Sequence, residues 1–344
     1  MSKFVILGDT HFSVRNGDKR FVNYFDKVYT DWFFPELKKR GLKKIIQVGD
    51  LFDKRTGNDS FAVSESKRYF FDKLCQDGCY MWTLLGNHDL YFKNSLDVSS
   101  PELLLDGYQN ITIINKPTKI GSLDFIPWIC DENRAKVFQF IKDSESKFCF
   151  GHFEITGFSM YKGVKGQDGL SPTIFNKYDG VFSGHYHTAS KQLNIQYTGS
   201  PAEYTWSDAD DPKGFWIFDD ETGETEFVVN PFTMFTKVFY DEEDIGKFDF
   251  TTLTDKFVRL YVINNKDLKK YDKFVQNINE SNPHELKIIE EGQSAVSDVD
   301  TENIDVRDTP SLIEQYIDGL ETDLDKERLK KMMRKLYVEA QSEE

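Results

Sequence analysis

Cysteine is scarce in this 344-residue chain: there are four, Cys75, Cys79, Cys130 and Cys149, too few and too scattered to form a disulfide framework. Cys75 and Cys79 share a stretch that reads as helix, so they are expected as reduced, mostly buried thiols. Long apolar runs are also missing, and nothing approaches the roughly 20 residues that a membrane span needs. Near the start, Phe4-Val5-Ile6-Leu7 is too short for the apolar stretch of a signal peptide, and Asp9 follows at once. These absences lead us to expect a soluble, cytoplasmic chain. The Gly-x-x-x-x-Gly-Lys-Ser/Thr loop is lacking too. Gly163-Val164-Lys165-Gly166 has the wrong ending, so no ATP site is expected.

Positive charge is in deficit, with a formal net charge of −15, which at first argues against a polyanionic partner. The distribution changes that inference. Residues 1–200 carry 26 Lys and Arg against 23 Asp and Glu, whereas residues 201–344 carry 17 against 35. The acidic excess belongs to the later part of the chain and does not exclude a DNA-facing site in the first part. The chain is 39% hydrophobic and holds 30 Phe, enough to fill a sizeable core.

The first 200 residues repeat one local plan, a short apolar run followed by a glycine and a polar residue. Lys3 to Leu7, Lys44 to Val48, Met81 to Leu85, Phe148 to Phe150 and Val181 to Ser183 read as buried strands. Phe21 to Lys39 and Phe61 to Gln76 have helical spacing. Strands alternating with helices imply a largely parallel sheet, with ligands gathered beyond the carboxyl ends of its strands. From Asn194 to Val229 the texture becomes antiparallel, with a hairpin around Thr222-Gly223, and reads as a second sheet packed on the first. Residues 234–290 suit a small α/β domain, 291–308 an acidic linker and 309–344 a pair of helices with an apolar stripe.

What is present is a set of five histidines, each in a short glycine-punctuated motif after an apolar run: Gly8-Asp9-Thr10-His11, Gly86-Asn87-His88-Asp89, Gly151-His152 and Gly184-His185-Tyr186-His187, with Gly49-Asp50 between the first two. Taken singly, a buried histidine is ordinarily a hydrogen-bonded core residue, and Gly-Asp is ordinarily a turn. Together, imidazole, carboxylate and one amide are the donors that hold a pair of divalent cations. Asp50 has two oxygens with which to bridge them, and Asn87 adds a neutral donor. The constellation reads as a two-metal hydrolytic centre, whose usual chemistry is phosphate-ester cleavage.

This ordered series resembles the calcineurin-like metallophosphoesterase superfamily. Gly49-Asp50-Leu51-Phe52-Asp53, Ile126-Pro127-Trp128 and Gly199-Ser200-Pro201 extend the resemblance to its SbcD-type nuclease branch, the nuclease subunits of double-strand-break repair and recombination complexes, phage-encoded members included. The resemblance implies an α/β fold, a two-sheet α-β-β-α sandwich over residues 1–233, with a small α/β capping domain at 234–290 and a C-terminal helical hairpin. It places one metal on Asp9, His11, Asp50 and His187 and the other on Asp50, Asn87, His152 and His185. His88 would be the acid facing the scissile phosphate and Asp89 would orient its ring. A hydroxide held between two cations, Mn²⁺ by family preference, would attack phosphorus in line. Asp53 departs from the archaeal and eukaryotic members, which carry a second histidine there, so His88 is left as the single candidate acid.

The resemblance further implies a 3′–5′ double-strand exonuclease and single-strand endonuclease, pairing as a homodimer and docking an SbcC-type coiled-coil ATPase through residues 309–344. Lys54, Arg55, Tyr91, Lys93, Tyr161, Lys162 and Lys165 are the candidate DNA-contacting residues of the rim. Two other classes use the same scaffold. A small-molecule phosphomonoesterase or cyclic-nucleotide phosphodiesterase would need no docking tail, and a non-catalytic scaffold member would have lost ligands that are all present here.

Overall fold

The structure, a computed structural model, describes residues 2–161, 164–165, 169–241 and 248–290, with isolated positions between 317 and 333. The chain divides into two units, Met1–Gln293 and Ser294–Glu344. The expected acidic linker and helical hairpin at 291–344 therefore lie outside the described residues, apart from those isolated helical positions. Among the described residues, no helix is long and apolar enough to cross a membrane.

The apolar runs become strands. β1 (Lys3–Leu7), β2 (Lys44–Gln47), β3 (Tyr80–Leu84) and β4 (Ile111–Ile114) pair in parallel in chain order. β5 (Thr118–Ile120), β6 (Leu123–Ile126), β7 (Phe148–His152), β8 (Ser159–Tyr161), β9 (Val164–Lys165), β10 (Gly180–Gly184), β11 (Ser190–Gln192) and β12 (Ile195–Tyr197) follow, then β13 (Gly214–Asp219) and β14 (Thr225–Val229). Two six-stranded sheets result, ordered β14-β13-β1-β2-β3-β4 and β11-β12-β10-β7-β6-β5. The segment 194–229 is thus not a second sheet of its own. β12 joins β10 in parallel, whereas β13 returns to lie antiparallel to β1, with Lys3 opposite Asp219. A local reading sees the β13–β14 hairpin but not which distant edge it completes.

Alternation within each strand sets the layers. Val5, Leu7, Ile45 and Met81 face helices α1 (19–40) and α2 (60–76), where Phe12, Tyr29, Phe33, Phe70 and Phe71 fill the space. Phe4, Ile6, Ile46 and Leu84 point the other way and meet Phe125, Phe150, Phe182 and Phe218 between the sheets. The outer face of the second sheet is covered by Val137 and Ile141 of α3 (Arg134–Asp143). Asp18 and Asp59 start α1 and α2 by accepting from Arg20 N and Ala62 N, each at 2.9 Å. The four-layer arrangement is the α/β sandwich expected. All four cysteines are free, but Cys75 is exposed rather than buried, because it lies on the solvent side of the last turn of α2, while Cys79 is buried beyond it.

Residues 235–290 build a third sheet, β15 (Phe235–Asp241), β16 (Phe257–Asn264) and β17 (Glu285–Glu290), all parallel, with α4 (Leu268–Glu280) across one face. A buried carboxylate ties this sheet to the sandwich. Glu203 Oε2 accepts from Met234 N at 2.6 Å and Phe235 N at 2.8 Å, and the Arg259 guanidinium of β16 lies 4.1 Å from the centroid of the Trp206 ring. Burial pushes the Glu203 carboxyl up to about 7 even though both amides pull it down.

That shift gives a signed pH dependence. The folded chain holds the Glu203 proton more tightly than the unfolded chain, so this contribution is complete below the ordinary carboxylate range and is lost as pH rises through about 7. Glu203→Gln keeps an oxygen acceptor and removes the titration. Thermal melts at about pH 5 and about pH 8 should then show a smaller drop for the variant than for the wild type; an equal drop would sink the assignment.

Candidate metal centre

Each candidate ligand sits at or just past the carboxyl end of a strand. Asp9 and His11 follow β1, Asp50 follows β2, Asn87 follows β3, His152 ends β7, and His185 and His187 follow β10. The backbone must bend sharply there, and it does so at a cost: His11, Asp50 and His185 have φ of 44°, 51° and 92°, a region that non-glycine residues rarely adopt. Two glycines permit the crowding. A Cβ on Gly86 would strike the Asp50 backbone and carboxylate, and one on Gly184 would strike the Asp9 carboxylate and the Val48 carbonyl.

The seven side chains meet in one cleft as two sets. The donor atoms of Asp9, His11 and His187 all lie within 4.8 Å of one another, as do those of Asp50, His152 and His185. In the first set His11 Nε2 and His187 Nε2 are 3.0 Å apart, and His187 Nε2 is 3.8 Å from Asp9 Oδ2. In the second, Asn87 Oδ1 lies 3.0 Å from His152 Nε2 and 3.1 Å from His185 Nδ1. Asp50 stands between them, its Oδ2 3.3 Å from His152 Nε2 and 3.9 Å from His11 Nε2.

These donors fit divalent cations. His152 Nδ1 donates to the Val48 carbonyl at 2.9 Å, which leaves Nε2 its lone pair for a metal. Burial pulls the His11 and His152 imidazoles down, but the carboxylates around them outweigh it and hold both up at about 9. The Asp9 carboxyl is raised to about 6 by burial, with Asp50 adding to the rise. A cluster so dense in buried carboxylates calls for compensating positive charge, which cations bound by these same atoms would supply.

Comparisons with known proteins bear on the family to which the chain belongs. The profile of the calcineurin-like phosphoesterase family matches residues 2–189. The chain belongs to the calcineurin-like phosphoesterase family. A near full-length relative is exonuclease subunit 1 of Enterobacteria phage T4, 34% identical over 98% of this chain and 99% of its own length. A solved archaeal phosphodiesterase aligns at 15% identity over 66% of this chain and 99% of its own, with a TM-score of 0.33. The family read from the histidine motifs is therefore borne out, and with it the coarse statement that this phosphoesterase binds divalent metal.

Around the ligands, this phosphoesterase has a layer that the sequence reading did not identify. Tyr204 donates from its hydroxyl to the Asp9 carbonyl at 2.6 Å, and its ring stands edge-on to His11 and His187, with centroids 5.5 and 5.4 Å away. Trp128 packs on the other pair, edge-on to His152 with centroids 5.9 Å apart and tilted by 44° to His185 at 5.4 Å. Gln47, fully buried, bonds the backbone of Gly8 and Gly49. Asp208 accepts from Tyr204 N and Thr205 N at 2.9 Å and pairs with Lys213 at 2.7 Å, and Lys213 Nζ donates to the His187 carbonyl at 2.9 Å. Buried polar residues of this kind have no local spacing signal, although the quoted Gly199-Ser200-Pro201 stands just upstream.

The expected contact between Asp89 and the His88 ring is not the one found. The Asp89 carboxylate accepts from the Leu51, Phe52 and Gly86 amides at 3.0, 3.1 and 2.9 Å, and so holds the Asp50 and Asn87 loops together. His88 is fixed by Asp53 instead, whose carbonyl lies 2.6 Å from Nδ1, while the Asp53 carboxylate is 3.4 Å from His11 Nδ1. His88 and Asp89 lie together in a turn, where the Asp89 carboxylate is taken up by three backbone amides and the His88 ring turns to the Asp53 carbonyl instead. Of the rim candidates, Lys54 reaches Asn16, Arg55 is half-buried, and Tyr91 and Lys93 are exposed. Tyr161, Lys162 and Lys165 lie outside the described side chains.

Lys213 is 3% exposed at its side chain, so removing its charge strands the Asp208 carboxylate in the interior. Lys213→Met should cost about 3–5 kcal/mol in denaturant unfolding. It should also weaken divalent-cation binding by about 10- to 100-fold in calorimetric titration, through the loosened His187. Unchanged affinity in the folded variant would show that the brace does not reach the ligand.

Proposed function

We propose that this chain is a Mn²⁺-dependent DNA nuclease, a 3′–5′ double-strand exonuclease and single-strand endonuclease that serves as the catalytic subunit of an SbcCD-like recombination complex. One observation carries the reading: Asp50 belongs to one donor set, its Oδ2 lies 3.9 Å from His11 Nε2 of the other, and its Oδ1 accepts the His88 amide at 2.8 Å, so the acid candidate is tethered to the carboxylate that stands between the two sets. The likeness to a phage exonuclease subunit over 98% of the chain supports DNA as the substrate. The mixture of imidazole, carboxylate and amide suits Mn²⁺.

Asp9, His11, Asp50 and His187 would hold one cation, and Asp50, Asn87, His152 and His185 the other. When bound, the pair would supply Lewis acidity at the scissile phosphate and make water there more acidic. The chain's own groups do the rest. A carbonyl can only accept, so His88 Nδ1 carries the hydrogen toward Asp53 O and Nε2 is the atom free to exchange a proton with the leaving oxygen. Asp89, through three amides, keeps the two loops in register, which fixes where His88 stands relative to Asp50. Trp128 and Tyr204 prevent the ligand rings from turning.

The reading includes a homodimer and a separate coiled-coil ATPase docked through residues 309–344, whose stripe of Leu312, Ile313, Tyr316, Ile317 and Leu320 recurs at helical spacing. The relative's description as a subunit supports an assembly.

Purified protein should degrade linear DNA with Mn²⁺ and stop in chelator, and comparable activity in chelator would end the metal reading. His88→Asn should retain metal in calorimetric titration while losing cleavage by about 100-fold or more; loss of metal would recast it as a ligand. Deleting residues 309–344 should abolish co-purification with the ATPase while leaving Mn²⁺-dependent cleavage in place. Continued co-purification would place the docking element elsewhere.

A further inference from the structure

Beside the catalytic histidine the chain leaves two large aromatic rings in solvent. Tyr91 and Phe92 are each 51% exposed, and they touch, with ring centroids 4.8 Å apart at an angle of 76°. Two adjacent rings facing water lose the burial that aromatic side chains ordinarily gain, and such a patch commonly marks a binding surface.

The loop that carries them is built to hold them there. Leu90 is fully buried just before the pair and bridges to Ser99. Tyr91 N donates to Val98 O at 2.9 Å, Ser100 N donates to Asp89 O at 2.8 Å, and Glu132 accepts from Leu96 N at 3.0 Å. The loop is therefore pinned at its base to Asp89, next to His88, with its rings and the exposed Lys93 toward the tip. Three residues of chain place Tyr91 within about 11 Å of His88, Cα to Cα. A nucleotide whose phosphate is being cut at His88 has its own or its neighbour's base within that reach.

We propose that the Tyr91–Phe92 pair receives an unpaired base of the strand being cut, with Lys93 beside it for the backbone phosphate. This rests on the nuclease reading and adds the form of DNA that the site selects. In closed duplex both faces of every base are covered by its neighbours. The angled pair can stack one ring on a base and abut its edge with the other only where the strand is single or the end has frayed. The loop thereby favours single strands and open ends, whereas the metal centre itself is indifferent to base pairing.

The test compares wild type, Tyr91→Ala/Phe92→Ala and Tyr91→Trp/Phe92→Trp on three substrates: a single-stranded oligonucleotide, a duplex closed by hairpins at both ends, and bis(4-nitrophenyl) phosphate, which offers no base. The alanine pair should lower kcat/KM on the single strand by about tenfold or more relative to the small ester. It should also abolish quenching of a 2-aminopurine placed in that strand and bound to Mn²⁺-loaded protein carrying His88→Asn, and should narrow the preference for single strand over closed duplex. The tryptophan pair should restore all three. A DNA-to-ester ratio within about twofold of wild type, with quenching intact, overturns the inference and leaves the rings as a surface for something other than a base. Wild type that cleaves the ester but no DNA fails differently, since it removes the nuclease reading itself.

Discussion

Asp50 is where the molecule's constraints converge. Its carboxylate is buried, stands between two sets of imidazoles, accepts the His88 amide and occupies a left-handed backbone position. A buried carboxylate is tolerated only with compensating charge and hydrogen bonds, and almost every nearby residue supplies one or the other. Asp50 is the main group that holds the His152 imidazole up, and it adds to Asp53 in holding up His11, while its own carboxyl is kept well below the usual range because the surrounding imidazoles outweigh burial. Gly86 is glycine because Asp50 comes so close. Asp89 is engaged by amides because the loop bearing Asp50 has to be pinned.

Those demands explain the division of labour between the sheets. Each donor set draws on both: Asp9 and His11 from the first sheet meet His187 from the second, and Asp50 and Asn87 from the first meet His152 and His185 from the second. Neither sheet contains a usable site alone. The phenylalanine layer between them does more than bury area, since the spacing of Phe150, Phe182 and Phe218 sets how far one set of strand ends stands from the other. Strain at His11, Asp50 and His185 is sustained because packing on both sides over-determines the backbone.

What could be read in the sequence was what has a local period or a short motif. Most of the long strands and the two long helices follow from apolar runs and helical spacing, whereas β4, β5 and β6 do not, and the histidine motifs announce themselves because glycine, carboxylate and imidazole rarely coincide after an apolar run. The edge that β13 completes was not legible, since partner choice depends on residues far apart. Nor were Tyr204, Asp208, Lys213 and Gln47, each a polar or aromatic residue whose meaning comes from what it touches in three dimensions. The same holds for the His88 ring, which the family resemblance pairs with Asp89 and space pairs with the Asp53 carbonyl. Chemistry carried by side-chain type is written locally; chemistry carried by backbone carbonyls is not.

The return of β13 to the side of β1 bears on how the chain is made. Lys3 finds its partner only when Asp219, more than two hundred residues later in the chain, has been added. Until then β1 presents an open edge of unsatisfied backbone groups beside an already parallel sheet, the kind of surface on which nascent chains pair wrongly. Contacts of such long sequence separation form late. The active cleft, assembled from the ends of strands on both sheets, is therefore among the last features to exist, and no truncated product of translation can carry out its chemistry before the sandwich has closed.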